Sequence, residues 1–149
     1  LEHLPDEDEI TERIARNQGL TAPEISILLP YSKLFYKNAL LASEIAGESF
    51  AQQVLLDYFP EPMRGPFREE ILSHPLKREI IATQLSNQVI DQIGAGFGFK
   101  MREETGANIV SIARAHQVCK TVLDIDPLWR RLQQLDCKIN ENQRYQAFR

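Results

Sequence analysis

The sequence contains few cysteines, a single tryptophan and no long apolar run. Its 149 residues include only two cysteines, Cys119 and Cys137, which form neither a disulfide framework nor a zinc-ligand set. Two unpaired thiols are typical of a protein from a reducing compartment, so we expect a cytoplasmic location. No stretch approaches the roughly 18 consecutive apolar residues that a membrane-spanning helix needs, so we expect no membrane partner.

The sequence also lacks an excess of positive charge, a secretory signal and an initiator methionine. The net charge of −4 argues against sequence-independent binding of nucleic acid. The first ten residues, LEHLPDEDEI, are acidic and do not show the basic and apolar segments of a signal peptide. Because the chain starts at Leu1, we expect it to be a fragment of a longer multidomain protein.

Alternation of apolar and polar residues is missing as well, which indicates an all-α fold. Helical periodicity is clearest from about 75 to 93, where a projection at about 100° per residue leaves only a narrow polar strip. The apolar positions that cover the rest of this helix are Leu76, Ile80, Ile81, Ala82, Leu85, Val89, Ile90 and Ile93. Such a helix is normally buried among others. We therefore expect a single irregular bundle of about six to eight helices around this central helix.

A second long helix is predicted to begin after Thr21, where Thr-Ala-Pro-Glu forms a capping box with proline in the first turn. It can continue to about Ile45, with a kink at Pro30. Its polar residues form one strip, made of Ser26, Lys33, Lys37 and Glu44. Nearly every other position is apolar or small, so this helix is also predicted to be largely buried.

Shorter helices are predicted to complete one helical domain that spans residues 1–149. The first ends at Gly19, and a later one places Phe67 inward. A helix capped by Asn108 buries Val122 and Leu123, among others. Asp126 is predicted to cap another helix, with Pro127 at its first position, where proline is favoured. The polar tail, residues 138–149, is interpreted as a truncated helix.

Two patterns with chemical potential receive structural interpretations. The run from Gly94 to Gly98, GAGFG, differs from the phosphate-binding motif G-x-G-x-x-G in the position of its third glycine, and it follows a helix instead of a strand. It therefore predicts a helix end and a tight turn instead of a phosphate site. The histidines His3, His74 and His116 do not have metal-ligand spacing. Of the charged residues that open the central helix, Arg78 and Glu79 project toward its apolar side and could form a buried ion network there.

Several stretches of the sequence resemble one family in order along the chain. They are Asn17-Gln18-Gly19-Leu20-Thr21 with Pro23-Glu24, Tyr31 with Lys33, Leu40-Leu41-Ala42-Ser43, Leu56-Asp57-Tyr58-Phe59-Pro60, His74-Pro75-Leu76-Lys77-Arg78-Glu79-Ile80-Ile81-Ala82-Thr83, and Glu103-Glu104-Thr105-Gly106-Ala107. Together they resemble the region that follows the catalytic core of the large bacterial NAD-specific glutamate dehydrogenases. The resemblance implies a parent enzyme that uses NAD to convert L-glutamate to 2-oxoglutarate and ammonia. It implies no catalytic residue and no cofactor site here, because the family keeps its catalytic motifs upstream.

The sequence therefore predicts a non-catalytic C-terminal helical domain of such an enzyme. Its expected partners are the catalytic domain of the same chain and other subunits, which it would help to assemble or regulate. We expect the docking surface near the two ends of the chain, at Leu1, Leu4, Tyr145 and Phe148, whose side chains have no obvious partner in the predicted helices. Two alternatives remain open: a free-standing adaptor that binds a partner helix, and a small-molecule sensor domain.

Overall fold

The computed structural model describes residues 4–134, with side-chain surroundings given as far as residue 131. Within this range the chain forms nine α-helices and one short 3-10 turn at Ile45–Gly47. The α-helices are α1 (Glu7–Ala15), α2 (Ala22–Leu41), α3 (Ser49–Tyr58), α4 (Glu61–Arg64), α5 (Arg68–Leu72), α6 (Lys77–Ile93), α7 (Phe97–Thr105), α8 (Ile109–Val122) and α9 (Ile125–Gln134). The all-α class is confirmed. The truncated helix predicted at 138–149 lies outside the described residues.

The chain divides into two compact units, Leu1–Ala113 and Arg114–Arg149, with the boundary inside α8. The first unit contains two clusters of buried apolar side chains. One cluster consists mainly of residues from α3, α5 and α6, together with Leu40 of α2 and Ala113 of α8. The other joins α2, α6 and the start of α8. Helix α6 contributes six buried residues, more than any other helix described, so the predicted central helix is confirmed as the core of this unit.

The limits of α6 follow from its terminal residues. At its start, Nδ1 of His74 accepts a hydrogen bond from the N–H of Leu76 at 3.1 Å, so the regular helix begins at Lys77, two residues after Pro75. At its end, Gly94 has φ 100° and ψ 154°, a backbone conformation that only glycine adopts readily. Between these ends the buried residues are Ile81, Ala82, Leu85, Ser86, Val89 and Ile90.

Helices α2 and α6 pack side by side with opposite chain directions. Near the start of α6, an Nη2 group of Arg78 donates to the carbonyls of Leu41 and Ser43, at 3.0 and 3.2 Å. Near the end of α6, Asp91 pairs with Lys33 of α2 at 2.8 Å. The buried ion network suggested for Arg78 is therefore wrong: its guanidinium is exposed and caps the end of α2, where a cation meets unpaired carbonyls.

Two predictions about the shorter helices of the first unit are wrong. Helix α1 ends at Ala15 instead of reaching Gly19, because Asn17 adopts a left-handed conformation with φ 55° and turns the chain earlier. Asparagine is among the few residues that tolerate this conformation. Phe67 is exposed because it lies at the N-cap of α5, before the helical geometry that would turn it inward begins.

In the second unit, α8 ends at Val122 and α9 begins at Ile125. Lys120 pairs with Asp126 at 3.1 Å across the turn between them. Asp126 lies inside the first turn of α9 instead of capping it, so that prediction is wrong. The burial predicted for Val122 and Leu123 is also wrong: both are exposed, and Val122 projects about 140° away from the buried Ile109.

A candidate docking surface

The structure describes only one of the four residues predicted to form a docking surface at the chain ends. Leu4 is half-buried and precedes α1. Leu1, Tyr145 and Phe148 lie outside the described residues. That surface therefore stays a prediction.

The largest difference from expectation lies on α2. This helix has 20 residues, yet only Glu24, Tyr36 and Leu40 are buried. The prediction that α2 is largely buried is therefore wrong. Three apolar side chains on its outer side are 42–51% exposed, and Phe99 of the neighbouring helix α7 is 40% exposed. We refer to these four residues, Tyr31, Leu34, Phe35 and Phe99, as the α2–α7 face.

Aromatic contacts hold the α2–α7 face in place. The rings of Phe35 and Phe99 are stacked, with centroids 5.4 Å apart. Tyr36 is fully buried and makes edge contacts with both rings at 6.4 Å. Offset-stacked and edge-to-face pairs of this kind are favourable beyond the area they bury. The face is therefore a fixed arrangement of rings that links α2 to α7.

Gly98 provides the space that Tyr36 needs. A Cβ atom built on Gly98 would lie 1.3 Å from the hydroxyl oxygen of Tyr36 and 2.4 Å from the ring carbon that carries it. Burial raises the pKa of the Tyr36 hydroxyl, with a smaller opposing effect from the Gly98 backbone. The second and third glycines of GAGFGF thus differ in role: Gly96 has open space around it, whereas Gly98 allows α7 to approach α2 closely.

An ion pair attaches α1 to the start of α2. Nη1 of Arg13 donates to Oε2 of Glu24 at 2.9 Å, and the same oxygen accepts from the N–H of Thr21 at 2.6 Å. The hydrogen bond from Arg13, followed by that from the Thr21 backbone, lowers the pKa of Glu24 from 4.5 to about 2. Within the described residues α1 has no buried side chain, and this pair links it to α2.

The stretches that carried the family resemblance form joints between helices. Helix α3 ends within the stretch Leu56-Asp57-Tyr58-Phe59-Pro60, and the side chain of Arg64 binds this stretch. Its guanidinium donates to the Asp57 carboxylate at 3.0 Å and to the carbonyls of Asp57 and Phe59 at 3.0 and 2.8 Å. The ring of Phe59 lies 6.1 Å from the imidazole of His74, in the next such stretch.

The later family stretches also lie where helices begin or end. His74 and Arg78 fix the start of α6 and the end of α2, as described above. In Glu103-Glu104-Thr105-Gly106-Ala107, Gly106 is left-handed with φ 70° and ends α7. The side chain of Asn108 then accepts from the Ser111 N–H at 2.8 Å and caps α8, as predicted.

Three further observations concern metal binding, a half-buried histidine and the membrane. Within residues 4–131, no group of three or more His, Cys, Asp and Glu side chains could hold a metal ion. His116 is half-buried in α8, and its burial, assisted by nearby Lys120, lowers the pKa of its imidazole. Among the helices described, none combines the length and apolar character needed to cross a bilayer.

Comparison with known proteins identifies one family. Residues 17–149 fit the family described as glutamate dehydrogenase, C-terminal. The chain belongs to this family. It is 35% identical over 145 residues to the NAD-specific glutamate dehydrogenase of Halomonas elongata, a match that covers 97% of this chain and 9% of that protein.

Two other members of the glutamate dehydrogenase family give similar matches. The chain is 32% identical over 139 residues to the NAD-specific enzyme of Pseudomonas aeruginosa, covering 93% of this chain and 9% of that protein. It is 35% identical over 132 residues to the enzyme of Mycobacterium tuberculosis, covering 89% and 8%. The chain therefore spans about a tenth of the length of the curated relatives it matches.

Sequence reasoning did not identify the α2–α7 face, although a signal for it was present. Both α2 and α6 have a single narrow polar strip, and both were predicted to be buried. A bundle of about 150 residues buries only part of its surface, so two long helices of this kind cannot both be enclosed easily. The number of apolar positions on the two long helices together could have predicted that one side of a helix is left exposed.

Proposed function

We propose that this domain performs no chemistry itself and serves a large NAD-specific glutamate dehydrogenase as its C-terminal helical domain. In this proposal the parent enzyme converts L-glutamate to 2-oxoglutarate and ammonia with NAD in the cytoplasm. The domain packs on the catalytic core of the same chain and on neighbouring subunits, and it supports their assembly or regulation. The observation that carries the proposal is that the family's stretches cap and join helices in this domain.

The reasons are chemical. Oxidative deamination of glutamate needs a lysine and a carboxylate around the substrate, together with a dinucleotide site such as a strand–glycine–helix unit. Three charged side chains of the family stretches have structural partners here: Arg78 caps α2, Lys33 pairs with Asp91, and Glu24 pairs with Arg13. The apolar surface of α2 is the feature that these joints leave exposed, and exposed apolar patches commonly mark protein interfaces.

Removal of the domain from the full-length enzyme tests this proposal. We expect the truncated enzyme to show a changed oligomer on size exclusion with light scattering, reduced turnover, or both, because the core loses a surface that it packs against. An enzyme without this segment that keeps the wild-type oligomer and turnover would refute the proposed role. Calorimetric titration of the 149-residue chain with NAD should give no binding, and micromolar affinity would contradict the non-catalytic assignment.

The surface predicted at the chain ends is a separate part of the proposal. Leu4→Asp and Phe148→Asp in the full-length enzyme should weaken assembly or turnover if Leu1, Leu4, Tyr145 and Phe148 meet the core. The isolated domain should stay folded in both cases by circular dichroism. Wild-type assembly and turnover in both variants would remove these residues from the docking surface.

A further inference from the structure

We propose that the α2–α7 face is the surface through which the domain packs against the remaining part of its own glutamate dehydrogenase polypeptide. This inference rests on the proposed function and identifies the docking surface and its occupant. The face comprises Tyr31, Leu34 and Phe35 on α2 and Phe99 on α7. It is distinct from the surface predicted at the chain ends.

The orientation of α2 is the first argument. At about 100° per residue, Lys33 and Phe35 project about 160° apart around the helix axis. Lys33 is directed to α6, where it pairs with Asp91 at 2.8 Å, whereas Phe35 is directed outward. A helix whose outer side faces water normally shows the opposite arrangement, with its polar strip outward. The outer side of α2 therefore has the character of a covered surface.

The rigidity of the face is the second argument. Phe35 is held between the stacked ring of Phe99 and the edge of the buried Tyr36. Side chains that are already fixed lose little conformational freedom when a partner covers them. Aromatic side chains that are fixed and clustered are also the usual anchors of protein interfaces. Tyr31 and Leu34, one turn apart on α2, extend this anchor along the helix.

The charge near the face suggests an apolar occupant. On α7, Lys100 and Glu104 lie one turn apart, and Nζ of Lys100 is 3.8 Å from Oε1 of Glu104. Their opposite charges offset one another. The four residues of the face are themselves uncharged. A partner selected by charge would need an excess of one sign here. Apolar burial is therefore the principal interaction that this face offers.

The identity of the occupant follows from chain length and attachment. The curated relatives contain about ten times as much chain as this domain, since the matches cover 9%, 9% and 8% of them. A surface in the same polypeptide is present at an effective concentration of about millimolar or more for a short connection. We therefore assign the face to the same subunit's remaining chain, in preference to a second copy of this domain.

Site-specific photo-crosslinking of the full-length enzyme tests the assignment. One variant carries Tyr31→p-benzoylphenylalanine, and the matched control carries Tyr58→p-benzoylphenylalanine. The two tyrosines are 50% and 53% exposed, but Tyr58 lies at the end of α3, outside the α2–α7 face. The probe at position 31 should give crosslinked peptides to sequence outside these 149 residues, in a species with the mass of one subunit. Its yield should exceed that of the control by about tenfold or more.

A second substitution checks that the contact is apolar. Leu34→Asp in the probe variant should lower the crosslink yield by about tenfold or more, because burial of an unpaired carboxylate is strongly unfavourable. Leu76→Asp, at a similarly exposed leucine before α6, should leave the yield unchanged. Equal loss with both aspartates would show that the effect is not specific to this face.

Each other result overturns the assignment. Crosslinks between two copies of residues 1–149, in a species of twice the subunit mass, would show that the face joins two domains. Crosslinks no stronger than those of the Tyr58 control would show that the face is uncovered. If removal of the domain still disrupts assembly in either case, the proposed function stands and only the identity of its docking surface is wrong.

Discussion

Helices α2 and α6 have similar residue patterns, yet the structure surrounds them differently. Each has a narrow polar strip and apolar residues over most of its circumference. Both helices contribute to the two core clusters, but α6 buries six of its 17 residues, whereas α2 buries three of its 20. Apolar periodicity therefore shows how much of a helix has to be covered, but it does not show whether the covering residues belong to the same piece of chain.

The largest expected contrast between these helices is in stability. Leu85→Ala or Ile81→Ala in α6 should each lower the free energy of unfolding by about 2–5 kcal/mol, because both side chains are enclosed and leave a cavity. Leu34→Ala on the outer side of α2 should change it by less than about 0.5 kcal/mol. Urea denaturation of the 149-residue chain measures all three. A cost for Leu34→Ala equal to that for Leu85→Ala would mean that α2 is as enclosed as α6.

The contact between α2 and α7 gives the next effect. Gly98→Ala should destabilise the chain by about 1–3 kcal/mol, because the new methyl group overlaps the Tyr36 hydroxyl. In an exposed helix the same change would instead stabilise by about 1 kcal/mol. Tyr36→Phe should recover part of the loss in the double variant, as it removes the nearest of the overlapping atoms. Thermal denaturation of the wild type and the three variants in this cycle tests the contact. A neutral Gly98→Ala would show that α7 does not approach α2 so closely.

A smaller effect is expected where the two long helices meet. Arg78→Ala should cost about 0.5–1.5 kcal/mol, because the carbonyls of Leu41 and Ser43 lose their charged donor at the end of α2. Lys77→Ala, at the neighbouring exposed position, serves as the control and should cost less than about 0.5 kcal/mol. Chemical denaturation curves that place both variants at the same midpoint would show that Arg78 does not join α6 to α2.

The smallest effect concerns the start of α2 and depends on pH. The pKa of Glu24 is lowered to about 2 by Arg13 and the Thr21 backbone. A lowered folded-state pKa gives stability that is present above the ordinary value of 4.5 and is lost as the pH falls toward 2. The midpoint difference between wild type and Glu24→Gln should therefore be largest above about pH 5 and shrink on acidification.

A second carboxylate of α1 provides the control for this experiment. Glu12 pairs with Arg16 at 3.1 Å, and both side chains are exposed. Exposed pairs of this kind contribute little to stability. Glu12→Gln should thus give a small midpoint difference at every pH in the series. A difference for Glu24→Gln that stays constant from pH 6 to pH 2.5 would contradict the role assigned to its charge.

Much of the fold follows from local sequence signals. The capping box at Thr21, the Asn108 cap and the positive φ at Gly94 lie at the predicted helix limits, because each depends on residues within one turn. The early end of α1 was not predicted, since a left-handed asparagine is less common than a left-handed glycine. The role of Arg78 was missed for a different reason: its acceptors lie 35 and 37 residues away in sequence.

The α2–α7 face could not be predicted from periodicity alone. The outward direction of Tyr31, Leu34 and Phe35 depends on which side of α2 packs against α6, and that is decided by Lys33, Tyr36 and Leu40 together. Phe99 joins the face only because Gly98 lets α7 come close to Tyr36. Both are properties of the folded chain that involve residues far apart in sequence.

Solvent footprinting tests most directly the central claim that α2 is exposed in this chain and covered in the enzyme. Hydroxyl-radical labelling of Tyr31 and Tyr58 is measured in the 149-residue chain and in the full-length enzyme. Both tyrosines are about half exposed here, so we expect similar labelling in the short chain. In the full-length enzyme, labelling of Tyr31 should fall several-fold relative to Tyr58, as it becomes buried against the remaining chain. An unchanged ratio of the two would contradict the account, because it would leave α2 as exposed in the enzyme as it is in the isolated domain.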